Sequence, residues 1–165
     1  MNVLKFGGSS VSNSQNIRKV LAIVANNAKD QKIAVVVSAF GKTTDQLIKG
    51  ATIAAEKNDG YKEIVQSLEE HHFNVIKDLI PIANQSGILS YTKQLLNNLE
   101  TIYEGCYLLQ ELSPKTLAKI ASFGELLSSY IIAKAANVSD KDSRELIIAS
   151  DDYNNAVVNF EVTHQ

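Results

Sequence analysis

The sequence predicts an α/β fold with a mostly parallel sheet and a helical insertion in the middle of the chain. Two short apolar runs, Val3–Phe6 and Ile33–Val37, flank a segment of helical periodicity, so the first part of the chain reads as one βαβ unit with a right-handed crossover. The second run is continuously apolar, as strands of a parallel sheet are when both faces are buried. Beyond Asn58-Asp59-Gly60, a turn signal, the chain turns predominantly helical.

The opening strand runs directly into Gly7-Gly8-Ser9-Ser10. Ser12 or Asn13 can then cap a helix whose apolar positions are Ile17, Val20, Leu21 and Val24, ending near Asn26-Asn27. The second strand ends in a polar loop, Ser38-Ala39-Phe40-Gly41-Lys42-Thr43-Thr44-Asp45. A helix from about Gln46 follows, with Leu47, Ile48, Ala51 and Ala54 on one side.

Ile64, Leu68, Val75 and Leu79 mark the next helix, closed by Pro81. Leu95, Leu99, Ile102, Cys106 and Leu109 mark another, and such stripes signify core packing. Ser113-Pro114 supplies an N-cap and a first-turn proline for a helix carrying Leu117, Ile120, Leu127 and Ile131. Gly124 lies within that pattern, where glycine costs about 1 kcal/mol relative to alanine, so something approaches the backbone closely beside Glu125, a ligand group or simply another helix. The segment around Leu146-Ile147-Ile148 has strand character, and 156–162 reads as one more strand.

With 45% hydrophobic and 21% charged residues, the 165-residue chain has the makeup of one packed, soluble domain rather than a disordered or fibrous one. A net charge of −2 without a basic run argues against nucleic acid, and no apolar stretch reaches the roughly 20 residues that span a bilayer. The N-terminus lacks a secretory signal, which places the protein in the cytoplasm. Lone Cys106 sits on an apolar stripe, and His71-His72 has no metal-ligand spacing, so no catalytic zinc or protein metal site is expected.

Both glycine-containing loops follow the carboxyl ends of strands, where ligands collect in open α/β sheets. Gly7-Gly8 serves either as a tight turn, with Lys5 in solvent, or as a phosphate cradle. In the cradle, glycines let an oxyanion reach backbone N–H groups, a helix N-terminus adds partial charge, and Lys5 adds a full one. The lysine precedes the glycines, unlike the P-loop order. Taken as one site, cations, glycine amides, hydroxyls, Lys42 and the Glu125 carboxylate suit phosphoryl transfer, which needs positioning and charge neutralisation more than covalent help. A hydrolytic triad lacks support, since Gly-x-Ser-x-Gly is absent and no histidine neighbours a serine or cysteine motif.

Lys5-Phe6-Gly7-Gly8-Ser9-Ser10-Val11, then Val37-Ser38-Ala39 with Thr44, then Phe123-Gly124-Glu125-Leu126 occur in the order found in aspartokinases, which the chain resembles. Asp142-Ser143-Arg144-Glu145-Leu146-Ile147 and Ser150-Asp151-Asp152-Tyr153 extend the resemblance along the whole chain. It implies the three-layer αβα sandwich of the amino acid kinase (carbamate kinase-like) type. It also implies transfer of the γ-phosphoryl of ATP, with Mg²⁺, to the β-carboxylate of L-aspartate, the first step toward lysine, threonine and methionine.

By the same resemblance Lys5 neutralises the transferred phosphoryl, and Gly7, Gly8, Ser9 and Ser38 surround phosphate oxygens. Thr44 holds a substrate carboxylate and Glu125 pairs with the substrate ammonium. A carboxylate nucleophile is ionised at neutral pH, so no general base is required. Aspartokinase catalytic domains continue into a second glycine-rich segment and the nucleotide-base site. Residues 1–165 therefore read as the N-terminal portion of one catalytic domain, without regulatory domains, inactive alone and dimeric only when full length. A non-catalytic phosphate-binding or interaction module, or a different amino acid kinase, are the alternatives.

Overall fold

The computed structural model describes residues 1–153 and 155–163; His164, one of the three histidines, lies outside the described residues. Strand β1 (Asn2–Phe6) pairs in parallel with β2 (Ile33–Val37), with Lys5 opposite Val36 and Phe6 opposite Val37. Helix α1 (Ser14–Asn27) joins them, which is the βαβ unit read from the sequence. Of the two capping candidates Asn13 takes the role, its Oδ1 accepting from the Asn16 N–H at 2.9 Å.

Among the described residues, one face of this sheet is covered and the other is not. Phe6 and Val37 pack on an apolar cluster with Ile17, Phe40, Ile76 and Ile131, whereas Val3 is 62% and Val36 48% exposed. The expectation that β2 is buried on both faces is thereby corrected: a two-stranded sheet offers two faces, and the helices here layer only one.

Helix α2 (Thr43–Ala55) begins three residues before Gln46, because Gln46 N–H already donates to Lys42 O at 3.1 Å. Leu47, Ala51 and Ala54 are buried as read, but Ile48 turns toward solvent. The turn after it closes through Asn58, whose Oδ1 accepts from Gly60 N–H at 2.8 Å. Helix α3 (Tyr61–Leu79) ends where Ile80 becomes extended ahead of Pro81, and α4 (Ile82–Leu109) follows at once.

The single helix expected after Ser113 is two, α5 (Pro114–Ala121) and α6 (Phe123–Ala136). Ser122 Oγ donates back to Lys119 O at 2.7 Å, a side-chain competition of the kind that bends helices. The strands expected near the end also differ. Asp142 caps a short helix α7 (Ser143–Leu146), and Asn159 Oδ1 accepts from Glu161 and Val162 N–H groups to start α8 (Phe160–Thr163). Between them, among the described residues, an antiparallel bridge from Ala149 to Val158 is what remains of the strand character. Local caps outweigh β propensity where no neighbouring strand offers a ladder.

A second apolar cluster fills the space between α2, α3, α4, α5 and α6, and Tyr103 is fully buried within it. Its hydroxyl donates to Leu47 O at 2.8 Å, and its ring lies where a Cβ at Gly50 would come within 2.8 Å. Gly50 therefore lets α4 approach α2. Gly105, by contrast, has open space where its Cβ would be. We expect Gly50→Ala to destabilise by about 1–3 kcal/mol through overpacking. Gly105→Ala should stabilise by up to about 1 kcal/mol through helix propensity, and urea unfolding of both variants checks the opposite signs.

His72 is wholly buried, stacked on Phe40 with ring centroids 5.3 Å apart. Its Nδ1 lies 2.6 Å from Leu68 O, so the neutral ring carries its proton there and donates. Burial pushes its pKa down to about 4. The folded state thus resists a proton that the unfolded chain accepts near pH 6.5, and stability falls as pH drops from about 6.5 toward 4, by up to about 3 kcal/mol. Unfolding free energies at pH 7 and pH 4.5 should show this loss in the wild type. A His72→Leu variant should show less of it.

Candidate active site

The parallel pairing does not stop where the strands do. Ser38 N–H donates to Phe6 O at 3.1 Å and Gly41 N–H to Gly8 O at 3.2 Å, joining the loop after β1 to the loop after β2. In the first loop Ser10 N–H closes a turn onto Gly7 O at 2.9 Å, and Asn16 holds Ser9 O at 3.2 Å from the first turn of α1. A tight turn is thus present at Gly7-Gly8, and it leads into the N-terminus of α1.

The two glycines differ in what they allow. A Cβ at Gly8 would lie 3.2 Å from Ala39 O and 3.3 Å from Gly41 O, so Gly8 lets the loops touch. A Cβ at Gly7 would meet nothing, which leaves that side open to a ligand. Gly41 has φ near +50°, the left-handed region that favours glycine, and so turns the second loop toward α2. Lys5 is exposed on the uncovered sheet face, one residue short of the end of β1.

Helix α6 brings in the third segment. A Cβ at Gly124 would lie 2.7 Å from Ala39 Cβ and 3.5 Å from Thr44 Oγ1, so the close approach inferred from the sequence is real, and its partner is the second loop. At that distance Glu125 reaches across: its Oε1 accepts from Ala39 N–H at 3.3 Å and from Ser38 Oγ at 3.5 Å. Ser38, Thr44, Gly124 and Glu125 are thus neighbours, and Gly8 touches them through Ala39 and Gly41. Among the described residues neither Lys5 nor Glu125 forms an ion pair.

Lys42 is not aimed into this group by any contact; it is exposed at the start of α2, beside a cavity of about 360 Å³ whose walls include both Lys49 and Asp45. Lys42 lines that cavity too, so its walls carry two cations and one carboxylate. Cys106 is buried in the second cluster, and burial raises its thiol pKa, which suits a packing role. Sequence reading missed Ser128, buried on α6, whose Oγ donates to Ser38 O at 2.8 Å. The available signal was its position three residues after Glu125, which sets both on one helix face.

The amino acid kinase family matches residues 1–163. The chain is 30% identical to bifunctional aspartokinase/homoserine dehydrogenase 2, chloroplastic, of Arabidopsis thaliana, over 94% of this chain and 18% of that protein. It is also 30% identical to aspartokinase 1, chloroplastic, of the same plant, over 93% of this chain and 27% of that one. Its fold superposes on E. coli aspartokinase III in complex with aspartate and ADP with a TM-score of 0.82 at 23% identity, covering 99% of this chain and 36% of that structure. The chain spans less than a third of the length of those two curated relatives. Two glycine loops joined through their backbones, a carboxylate delivered by a helix that only glycine lets approach, and a family match over almost the whole length lead to one conclusion: this chain belongs to the amino acid kinase family and carries part of the sheet and a covering helical layer of its αβα fold.

Proposed function

We propose that this chain forms the amino-acid and γ-phosphate side of an aspartokinase active site, within a protein that transfers the γ-phosphoryl of ATP to the β-carboxylate of L-aspartate. The observation that carries the reading is Glu125, fixed by Ala39 N–H and Ser38 Oγ at the mouth of the two glycine loops. An anion so placed suits an ammonium-bearing substrate, and the exposed Lys5 and the open side of Gly7 suit a phosphate. The names of the relatives and the aspartate and ADP in the neighbouring structure agree with those two halves.

In the proposed reaction a β-carboxylate oxygen of aspartate attacks the γ-phosphorus, the bond to the β,γ-bridging oxygen breaks, and ADP leaves with its electron pair. Lys5 balances charge on the transferred group, Gly7, Gly8, Ser9 and Ser38 line it, Thr44 holds a substrate carboxylate and Glu125 holds the ammonium. Mg²⁺ would accompany ATP, held largely by the phosphates and water, and would neutralise their charge. The protein acts on a small molecule in the cytoplasm, and as a homodimer when full length. Among the described residues no helix is long and apolar enough to cross a membrane.

ADP release by the full-length protein with aspartate and Mg-ATP tests the reading. We expect turnover with aspartate and little with glutamate; turnover with another acceptor alone would overturn the substrate assignment. Lys5→Ala should lower kcat by about 10²–10³-fold while leaving the melting temperature unchanged, since Lys5 is exposed and unpaired among the described residues. Undiminished turnover in that variant would remove Lys5 from its role. Glu125→Gln should raise KM for aspartate by about 10-fold or more with KM for ATP nearly unchanged.

A further inference from the structure

Ser128 holds no place in the roles above, yet it is fully buried and bridges two segments of the site. Its hydroxyl lies 2.8 Å from Ser38 O and 3.1 Å from Glu125 O. A serine hydroxyl has one proton to donate, and the shorter contact is the one that leaves its own helix. The same peptide group whose carbonyl it binds presents its N–H, that of Ala39, to Glu125 Oε1 at 3.3 Å. The Ser38–Ala39 peptide is therefore gripped at both ends by α6, carbonyl by Ser128 and N–H by Glu125, from residues one turn apart.

We propose that Ser128 is a positioning residue, which fixes the plane of the Ser38–Ala39 peptide and through it the Glu125 carboxylate. A peptide unit is planar, so binding its oxygen also sets the direction of its N–H. Without the Ser128 hydroxyl, Ser38 O loses its side-chain partner, the peptide is free to rotate, and the Ala39 N–H no longer anchors Glu125. Ser38 Oγ, on the same residue, moves with it. A serine within a helix often does no more than bond back one turn, and the adjacent Ser129 does this, its Oγ donating to Leu126 O at 3.3 Å. Ser129 is thus a built-in control, with similar local geometry and no contact to the loop.

The inference rests on the reading of Glu125 and Ser38 as site residues, so the test has one arm that uses substrate and one that does not. In the full-length protein Ser128→Ala should speed amide hydrogen exchange across 38–41 about tenfold and leave α3 and α4 unchanged, while Ser129→Ala should change neither. With aspartate and Mg-ATP, Ser128→Ala should raise KM for aspartate about tenfold and leave KM for ATP nearly unchanged, the pattern of a displaced Glu125. Unchanged exchange at 38–41, or acceleration spread equally over α3 and α4, would overturn the proposal. A wild-type protein that turns over no aspartate would refute the aspartokinase reading, while the exchange arm would still decide the role of Ser128.

Discussion

The site depends on one close approach, that of Gly124 on α6 to Ala39 in the loop after β2. A methyl group at position 124 would sit 2.7 Å from Ala39 Cβ, which is too near for two carbons, so the distance between helix and loop is set by the absence of a side chain. From that distance follow the reach of Glu125 to Ala39 N–H, the bond from Ser128 to Ser38 O and the nearness of Thr44. Moving α6 outward by even an ångström would break two hydrogen bonds at once and separate the carboxylate from the loops.

The rest of the fold maintains this approach from behind. Leu127 and Phe123 on α6 bury themselves in the cluster that also holds Leu47, Tyr103 and Ile120, while Ile131 and Ile132 on the same helix enter the cluster under the sheet. Helix α6 is apolar on more than one side because it contributes to both cores, as α3 also does. Tyr103 adds a polar tie, donating to Leu47 O on the helix that carries Thr44. The stability of the buried interior and the placement of the site are thereby coupled, and His72, stacked on Phe40 of the second loop, extends that coupling to acidic pH.

The sheet contributes differently. Its covered face is anchored by Phe6 and Val37, and its ladder runs on into the glycine loops through Ser38 N–H to Phe6 O and Gly41 N–H to Gly8 O. The uncovered face carries Val3, Lys5 and Val36. A lysine and two valines alternate with the core residues along the same strands, which is the period-two arrangement that keeps a charge near a glycine loop without burying it.

Much of this was legible along the chain because its causes are local. The apolar runs at Val3–Phe6 and Ile33–Val37, the helical stripes, the Ser113-Pro114 start and the stop before Pro81 each depend on neighbours a few residues away. The candidate residues Ser38, Thr44 and Glu125 were also legible, through motif order and through the cost of a glycine inside a helix. What stayed hidden depends on partners distant in sequence. The break at Ser122, the exposure of Val36, and the conversion of the expected late strands into α7, α8 and one bridge turn on which surfaces meet and which find no ladder. Ser128 was hidden for the same reason, since its significance lies in a carbonyl 90 residues earlier. Sequence alone determined the βαβ opening, the main helices that follow it and the residue types gathered at the two glycine loops. Only tertiary packing decided that a single peptide, Ser38–Ala39, would be held between two side chains of α6, because that geometry requires a bare Cα at Gly124.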